Sequence, residues 1–165
     1  MQNDLYHLMK IAIKEAQIGL AEGEVPVGAV VASAQGVILA KAHNMPVALN
    51  DPTAHAEILA LRRAARAVEN YRIPGATLVV TIEPCPMCMG AALHCRIGRL
   101  VYGAADPKMG AAGSLYNLAS DARLNHSMQV VPGILETECR MLIQAFFKAK
   151  RQKAERQSGE VPKWS

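Results

Sequence analysis

Aromatic side chains are scarce: one Trp, four Tyr and two Phe make up 4% of the 165 residues. So few rings exclude an extended stacking platform of the kind that holds single-stranded nucleic acid without sequence preference. Cysteine is sparse too, at four residues. A secreted disulfide scaffold is shorter and cysteine-dense, so reduced thiols are expected. No apolar stretch approaches the roughly 20 residues that span a bilayer. Met1 to Lys14 lacks the apolar centre of a secretory signal. A cytoplasmic location without a membrane partner is the resulting expectation. A charge excess is missing from the body of the chain, where residues 1–147 carry 12 Lys/Arg against 12 Asp/Glu. The whole net charge of +4 lies in residues 148–165, with 6 against 2. That tail, with Lys148, Lys150, Arg151, Lys153 and Arg156, either contacts phosphates or is a solvated helix end whose cations suit the helix dipole.

The length allows one well-buried core, so residues 1–165 are read as a single domain with a basic helix end or tail from about 148. Helical spacing of Leu5, Leu8, Ala12, Ala16 and Leu20 predicts a helix over 4–22, with Asn3 or Asp4 as cap and Gly23 beyond it. Two β-branched runs, 25–32 and 37–43, flank Ser33-Ala34-Gln35-Gly36 and read as a hairpin. Residues 44–52 read as a loop, and 53–69 as a helix capped by Asp51 or Thr53. A strand over 76–82, a helix over 86–95 opened by Pro86, strands over 99–103 and 128–131, and a last helix from 136 to about 156 complete the pattern. Strands alternating with helices imply a three-layer α/β/α sandwich around a five-stranded mixed sheet.

The chemistry-bearing pattern is His55-Ala56-Glu57 followed by Pro84-Cys85-Pro86-Met87-Cys88. Three residues, His55, Cys85 and Cys88, are zinc ligands by type, and Glu57 is a carboxylate left over. Catalytic zinc keeps an open position for water, whereas structural zinc is closed by four protein ligands. Cys85 and Cys88 fall where a strand meets a helix, and unsatisfied N–H groups there favour thiolate. His55 and Glu57, two apart, diverge by about 200° on a regular helix. Both serve one cavity only if it lies at the helix's end. Two helices that aim their N-termini at one metal satisfy both motifs.

A closed structural site needs a fourth ligand from His43, His94, Cys95, His126 or Cys139. Cys95 follows Cys88 by seven residues, about 10 Å along a shared helix, while two sulfurs on one zinc lie within about 4 Å. Cys95 and its neighbour His94 are therefore poor fourth ligands, and Cys95 and Cys139 read as small buried hydrophobes. His43 and His126 stay open. A thioredoxin-like redox role for the Cys85/Cys88 pair lacks the matching strand context. With water on the metal and Glu57 free to carry protons, an electron-poor ring carbon bearing an amine is attacked and ammonia leaves. H-x-E with P-C-x-x-C is the known signature of zinc nucleobase deaminases.

Flanking segments resemble one branch of that superfamily: Glu24-Val25-Pro26-Val27-Gly28-Ala29, Asn44, Asp51 through Ile58, Thr81 through Cys85, Asp106-Pro107-Lys108, Gly110 through Ser114, and Asn125-His126. Over nearly all of residues 4–155 the chain is similar to the bacterial tRNA-specific adenosine deaminases. The resemblance implies the cytidine-deaminase fold, one Zn2+ per subunit, a homodimer, and conversion of adenosine to inosine at the wobble position of a tRNA anticodon stem-loop. It implies His55, Cys85 and Cys88 as ligands, and Glu57 as shuttle while zinc-bound hydroxide attacks adenine C6. Asn44 then holds the base edge, with the Ala56 N–H near the reacting ring and Val27 among the substrate contacts. The loop with Asp106 and Lys108 meets the flanking nucleotides, and Gly113-Ser114 shapes that wall. Met109 and the Ser33–Gly36 turn depart from the common pattern. The alternatives are a free-base or nucleotide deaminase acting on guanine or cytosine, and a non-catalytic, zinc-stabilised RNA-binding module.

Overall fold

The computed structural model describes residues 2–158; the last seven positions of the basic tail lie outside the described residues. Five strands form one sheet: β1 (Gly28–Ala32), β2 (Ile38–His43), β3 (Thr77–Ile82), β4 (Arg99–Ala104) and β5 (Gln129–Pro132). Their order is β2-β1-β3-β4-β5. β1 runs antiparallel to both neighbours, while β3, β4 and β5 are parallel to one another. The sheet is therefore mixed, as the alternation of elements implied.

Alternate residues of each central strand face opposite helical layers, which is why these strands read as continuous apolar runs. Ala29, Val31, Leu78, Val80, Leu100 and Tyr102 pack with Ala56, Ala60, Leu61 and Ala64 of α3 (Ala56–Ala67) and Met89 and Ala92 of α4 (Pro86–His94). Val30, Ala32, Val79, Val101 and Ala104 pack on the other face with Leu8, Met9 and Ala12 of α1 (Gln2–Ala21) and Cys139 of α5 (Glu136–Ser158). The expected three-layer α/β/α sandwich is the architecture found. Among the described residues no helix is long and apolar enough to cross a membrane.

Several boundaries differ from the sequence reading, for local reasons. α1 begins at Gln2, two residues before the expected start, which puts Asn3 and Asp4 in its first turn. β1 begins only at Gly28, because Pro26 has no N–H to give a ladder and the Val27 N–H turns back to the Val25 carbonyl at 2.8 Å. Residues 44–52 are not wholly loop: Pro46–Leu49 form a one-turn helix, α2, with Pro46 at its start. α3 begins at Ala56, three residues later than expected. Asp51 Oδ1 accepts from the Thr53 N–H and hydroxyl at 2.8 and 2.7 Å, so both expected caps are spent on a local turn. Cys139 is buried as expected, whereas Cys95 closes α4 as a half-buried residue.

Gly28 is where α1 lies directly on the sheet. A Cβ there would run into the Ala12 carbonyl oxygen and come within 2.6 Å of the Ala16 nitrogen. Both are helix backbone, which cannot give way as a side chain does. Gly28→Ala should cost about 1–3 kcal/mol, read as a lower urea midpoint at an unchanged slope.

Candidate metal centre and active site

The parallel arrangement of β3 and β4, with β2 running the same way beyond β1, brings three carboxyl ends to one edge of the sheet. His43-Asn44 leaves β2 there, Glu83-Pro84-Cys85 leaves β3, and Asp106 follows β4. Open α/β sheets bind ligands at such carboxyl ends.

His55 is the N-cap of α3 and Cys85 the N-cap of α4. Both take extended backbone angles, and neither side chain makes a capping hydrogen bond. Each is thus free to face the space between the two helix ends. His55 Nδ1 lies 3.8 Å from Cys85 Sγ and 3.5 Å from Cys88 Sγ. All three donor atoms lie within 4.8 Å of one another. Bond lengths of zinc to sulfur and nitrogen give a tetrahedral edge of about 3.6–3.8 Å. The donor set therefore fits zinc in both chemistry and spacing.

The electrostatics agree. Cys88 and His55 beside it draw the Cys85 thiol down to about 4 against its burial. Its hydrogen bond with Cys85 and burial push the Cys88 thiol up, and contact with Cys85 raises His55. Two adjacent thiolates oppose each other until a divalent cation lies between them. Glu57, in the first turn of α3, is buried, and that burial pushes its carboxyl up to about 7. Its Oε2 is the one buried side-chain oxygen or nitrogen among the described residues that has no hydrogen-bond partner. A polar atom left so is costly unless something outside the protein chain engages it.

Asn44 is 8% exposed, and its Oδ1 accepts the Ala56 N–H at 2.8 Å. That bond satisfies the first amide of α3 in place of a conventional cap. Val27 is packed in the core beneath it, its carbonyl accepting the Asn44 N–H at 3.1 Å. Asp106 Oδ1 accepts the N–H groups of Lys108 and Met109, and the latter two side chains are exposed. The histidines left open by sequence lie elsewhere: His43 sits between Glu15 and Glu22 at 3.1 and 2.9 Å, and His126 Nε2 meets the Ile97 carbonyl at 2.7 Å. Cys95 and His94 are likewise outside the three-donor group.

Residues 2–104 match the cytidine and deoxycytidylate deaminase zinc-binding region. The chain belongs to this deaminase family. It is 47% identical over 152 residues to the tRNA-specific adenosine deaminase of Bacillus subtilis (strain 168), covering 92% of each. It is 45% identical over 145 residues to that of Haemophilus influenzae, covering 88% of this chain and 84% of the other. A solved structure from studies of A-to-I editing by tRNA:A34 deaminases at the wobble position of transfer RNA aligns with a TM-score of 0.79 at 43% identity. The alignment covers 82% of this chain and 98% of that one. The family's zinc-binding region and the His/Cys/Cys group together support one zinc per subunit of this deaminase.

Sequence reasoning did not single out two buried glutamates of the deaminase. Glu24 accepts the Val47 and Ala48 N–H groups at the start of α2, and Glu83 accepts from the loop after β4. The available signal was an acidic residue at the end of an otherwise apolar run, in Thr81-Ile82-Glu83.

Cys88→Ala should abolish stoichiometric zinc in the purified deaminase, while Cys95→Ala should retain about one zinc per chain, both read by elemental analysis. Zinc affinity should also fall as pH is lowered, because the imidazole and thiols must lose protons to bind.

Proposed function

We propose that the chain is a single zinc-dependent deaminase domain that converts adenosine to inosine at the wobble position of a tRNA anticodon. The chemistry rests on one observation: a buried carboxylate with an unpartnered oxygen stands beside three zinc donors at a sheet's carboxyl edge. The choice of adenosine in tRNA is supported by near-full-length similarity to the tRNA-specific adenosine deaminases.

His55, Cys85 and Cys88 would hold the metal, which when bound supplies an activated water and an open coordination position. Glu57 takes a proton from that water and delivers it to the ring nitrogen next to C6. It then takes the remaining proton of the oxygen now bonded to C6 and gives it to the amine as the C6–N bond breaks, so that water and adenosine become inosine and ammonia. A carboxyl raised by burial accepts and releases protons near neutral pH more readily than an ordinary one. The charge of a bound zinc acts in the opposite sense on Glu57.

Asn44, with Ala56 and Val27 behind it, borders the base. Asp106, Lys108 and Ser114 border the neighbouring nucleotides, with Met109 projecting beside them. The base enters by flipping out of its loop, so one pocket suffices and few aromatics are needed. The exposed cations of α5 from Lys148 to Arg156 supply phosphate contacts. A homodimer in the cytoplasm completes the reading, supported by the family resemblance.

Incubation with an anticodon stem-loop bearing adenosine at the wobble position should yield inosine, with no turnover of free guanine, cytosine or cytidine. Activity confined to the small molecules would reassign the enzyme to a free-base or nucleotide deaminase. Glu57→Gln should keep its zinc and lose about 100-fold or more in kcat. Near-full turnover by this variant would remove Glu57 from the mechanism.

A further inference from the structure

Glu83 lies two residues before Cys85, is 1% exposed, and stands outside the donor group. All its acceptor capacity is directed at one loop. Oε2 accepts the Asp106 N–H at 3.0 Å and the Ser114 hydroxyl. Oε1 accepts the N–H groups of Ala112 and Ser114, each at 3.0 Å. Burial pushes the carboxyl up, but these four donors outweigh it and hold it below the usual range. The contrast with Glu57 separates their uses. Glu57 keeps an oxygen without a partner, whereas Glu83 has none to offer a substrate or a proton.

The loop is built to meet this carboxylate. A Cβ on Gly110 would overlap the Glu83 carboxylate and lie 2.5 Å from the Asp106 carbonyl oxygen, so the chain passes there only as glycine. The Gly110 N–H closes on that same carbonyl at 2.9 Å. Asp106 in turn folds its side chain onto the Lys108 and Met109 amides. Those two side chains are thereby turned outward, with Met109 55% exposed.

We propose that Glu83 is the positioning residue of the substrate loop: it ties residues 106–114 to the strand end that carries Cys85 and so sets how far the flanking nucleotides stand from the reacting ring. The proposal rests on the reading of the chain as a tRNA deaminase. Because one short segment, Glu83 to Cys85, anchors both loop and metal, loop and reacting centre share one frame. A loop placed by solvent-exposed contacts alone would not keep that register.

In Glu83→Gln an NH2 group replaces one acceptor oxygen and faces N–H donors, so part of the cradle opens. The KM for the wobble-adenosine stem-loop should rise about tenfold or more, with kcat within about threefold and zinc still one per chain. Hydrogen exchange at the amides of Asp106, Ala112 and Ser114 should accelerate. Gly110→Ala, which disturbs the same contact from the loop side, should repeat the pattern, and it decides the matter on the same readouts if Glu83→Gln does not fold. Unchanged KM with faster exchange would overturn the proposal. Loss of zinc and kcat at unchanged KM would also overturn it, by assigning Glu83 to the metal site. If the wild-type enzyme does not deaminate the stem-loop, the functional reading fails by itself. The Kd for the same RNA, by fluorescence anisotropy, then replaces KM, and a Kd equal in wild type and both variants overturns the positioning role.

Discussion

α3 and α4 begin with residues that adopt the backbone of a helix cap yet lend no side chain to it, and the rest of the site depends on this. A helix start leaves amide groups in need of acceptors, and a polar N-cap side chain ordinarily supplies one. Here His55 and Cys85 hold the cap positions with their side chains turned elsewhere. Asn44, arriving from the end of β2, accepts the first amide of α3 instead. That substitution frees His55 for a metal and gives Asn44 a fixed place beside it. Two helix N-termini then face one point, where their dipoles favour the thiolates.

Three of the buried glutamates, Glu24, Glu57 and Glu83, do different work. Glu24 secures the start of α2 and Glu83 the loop after β4, each through backbone amides. Their charges are met by several donors, the condition under which a buried carboxylate is tolerable. Glu57 is left incompletely met. Burial of an under-satisfied acid disfavours the charged form, and this tunes a side chain for proton transfer near neutral pH. The sandwich supplies the rigidity behind all three, since α3 and α4 pack small residues against one face of the sheet while α1 rests directly on Gly28 from the other.

Much of this was legible along the chain. The apolar runs at Gly28–Ala32, Thr77–Ile82 and Arg99–Ala104 announce strands because they are buried on both faces. The Cys85/Cys88 spacing, with Pro86 between, announces a helix start because proline suits only that turn. The 200° divergence of His55 and Glu57 places any shared cavity at a helix end. The start of α3 is not legible in the same way, because Asp51 and Thr53 look like caps. Their side chains are used in a turn, and no local rule reveals that a residue 12 positions upstream takes over. α2 escapes local rules for a similar reason, since its amides are met by Glu24, 23 and 24 positions earlier.

By itself the sequence determined the donor types, the spare carboxylate, the layer pattern and the poor fit of Cys95 as a ligand, because each follows from side-chain chemistry and helix geometry over short spans. Only the tertiary structure decided which backbone amides Asn44, Glu24 and Glu83 satisfy, that His43 and His126 are engaged elsewhere, and that Glu57 keeps an oxygen unpartnered. Those are pairings across 12 to 31 residues. They depend on how β2, β3 and β4 bring their carboxyl ends to one edge, a long-range register that no local periodicity encodes.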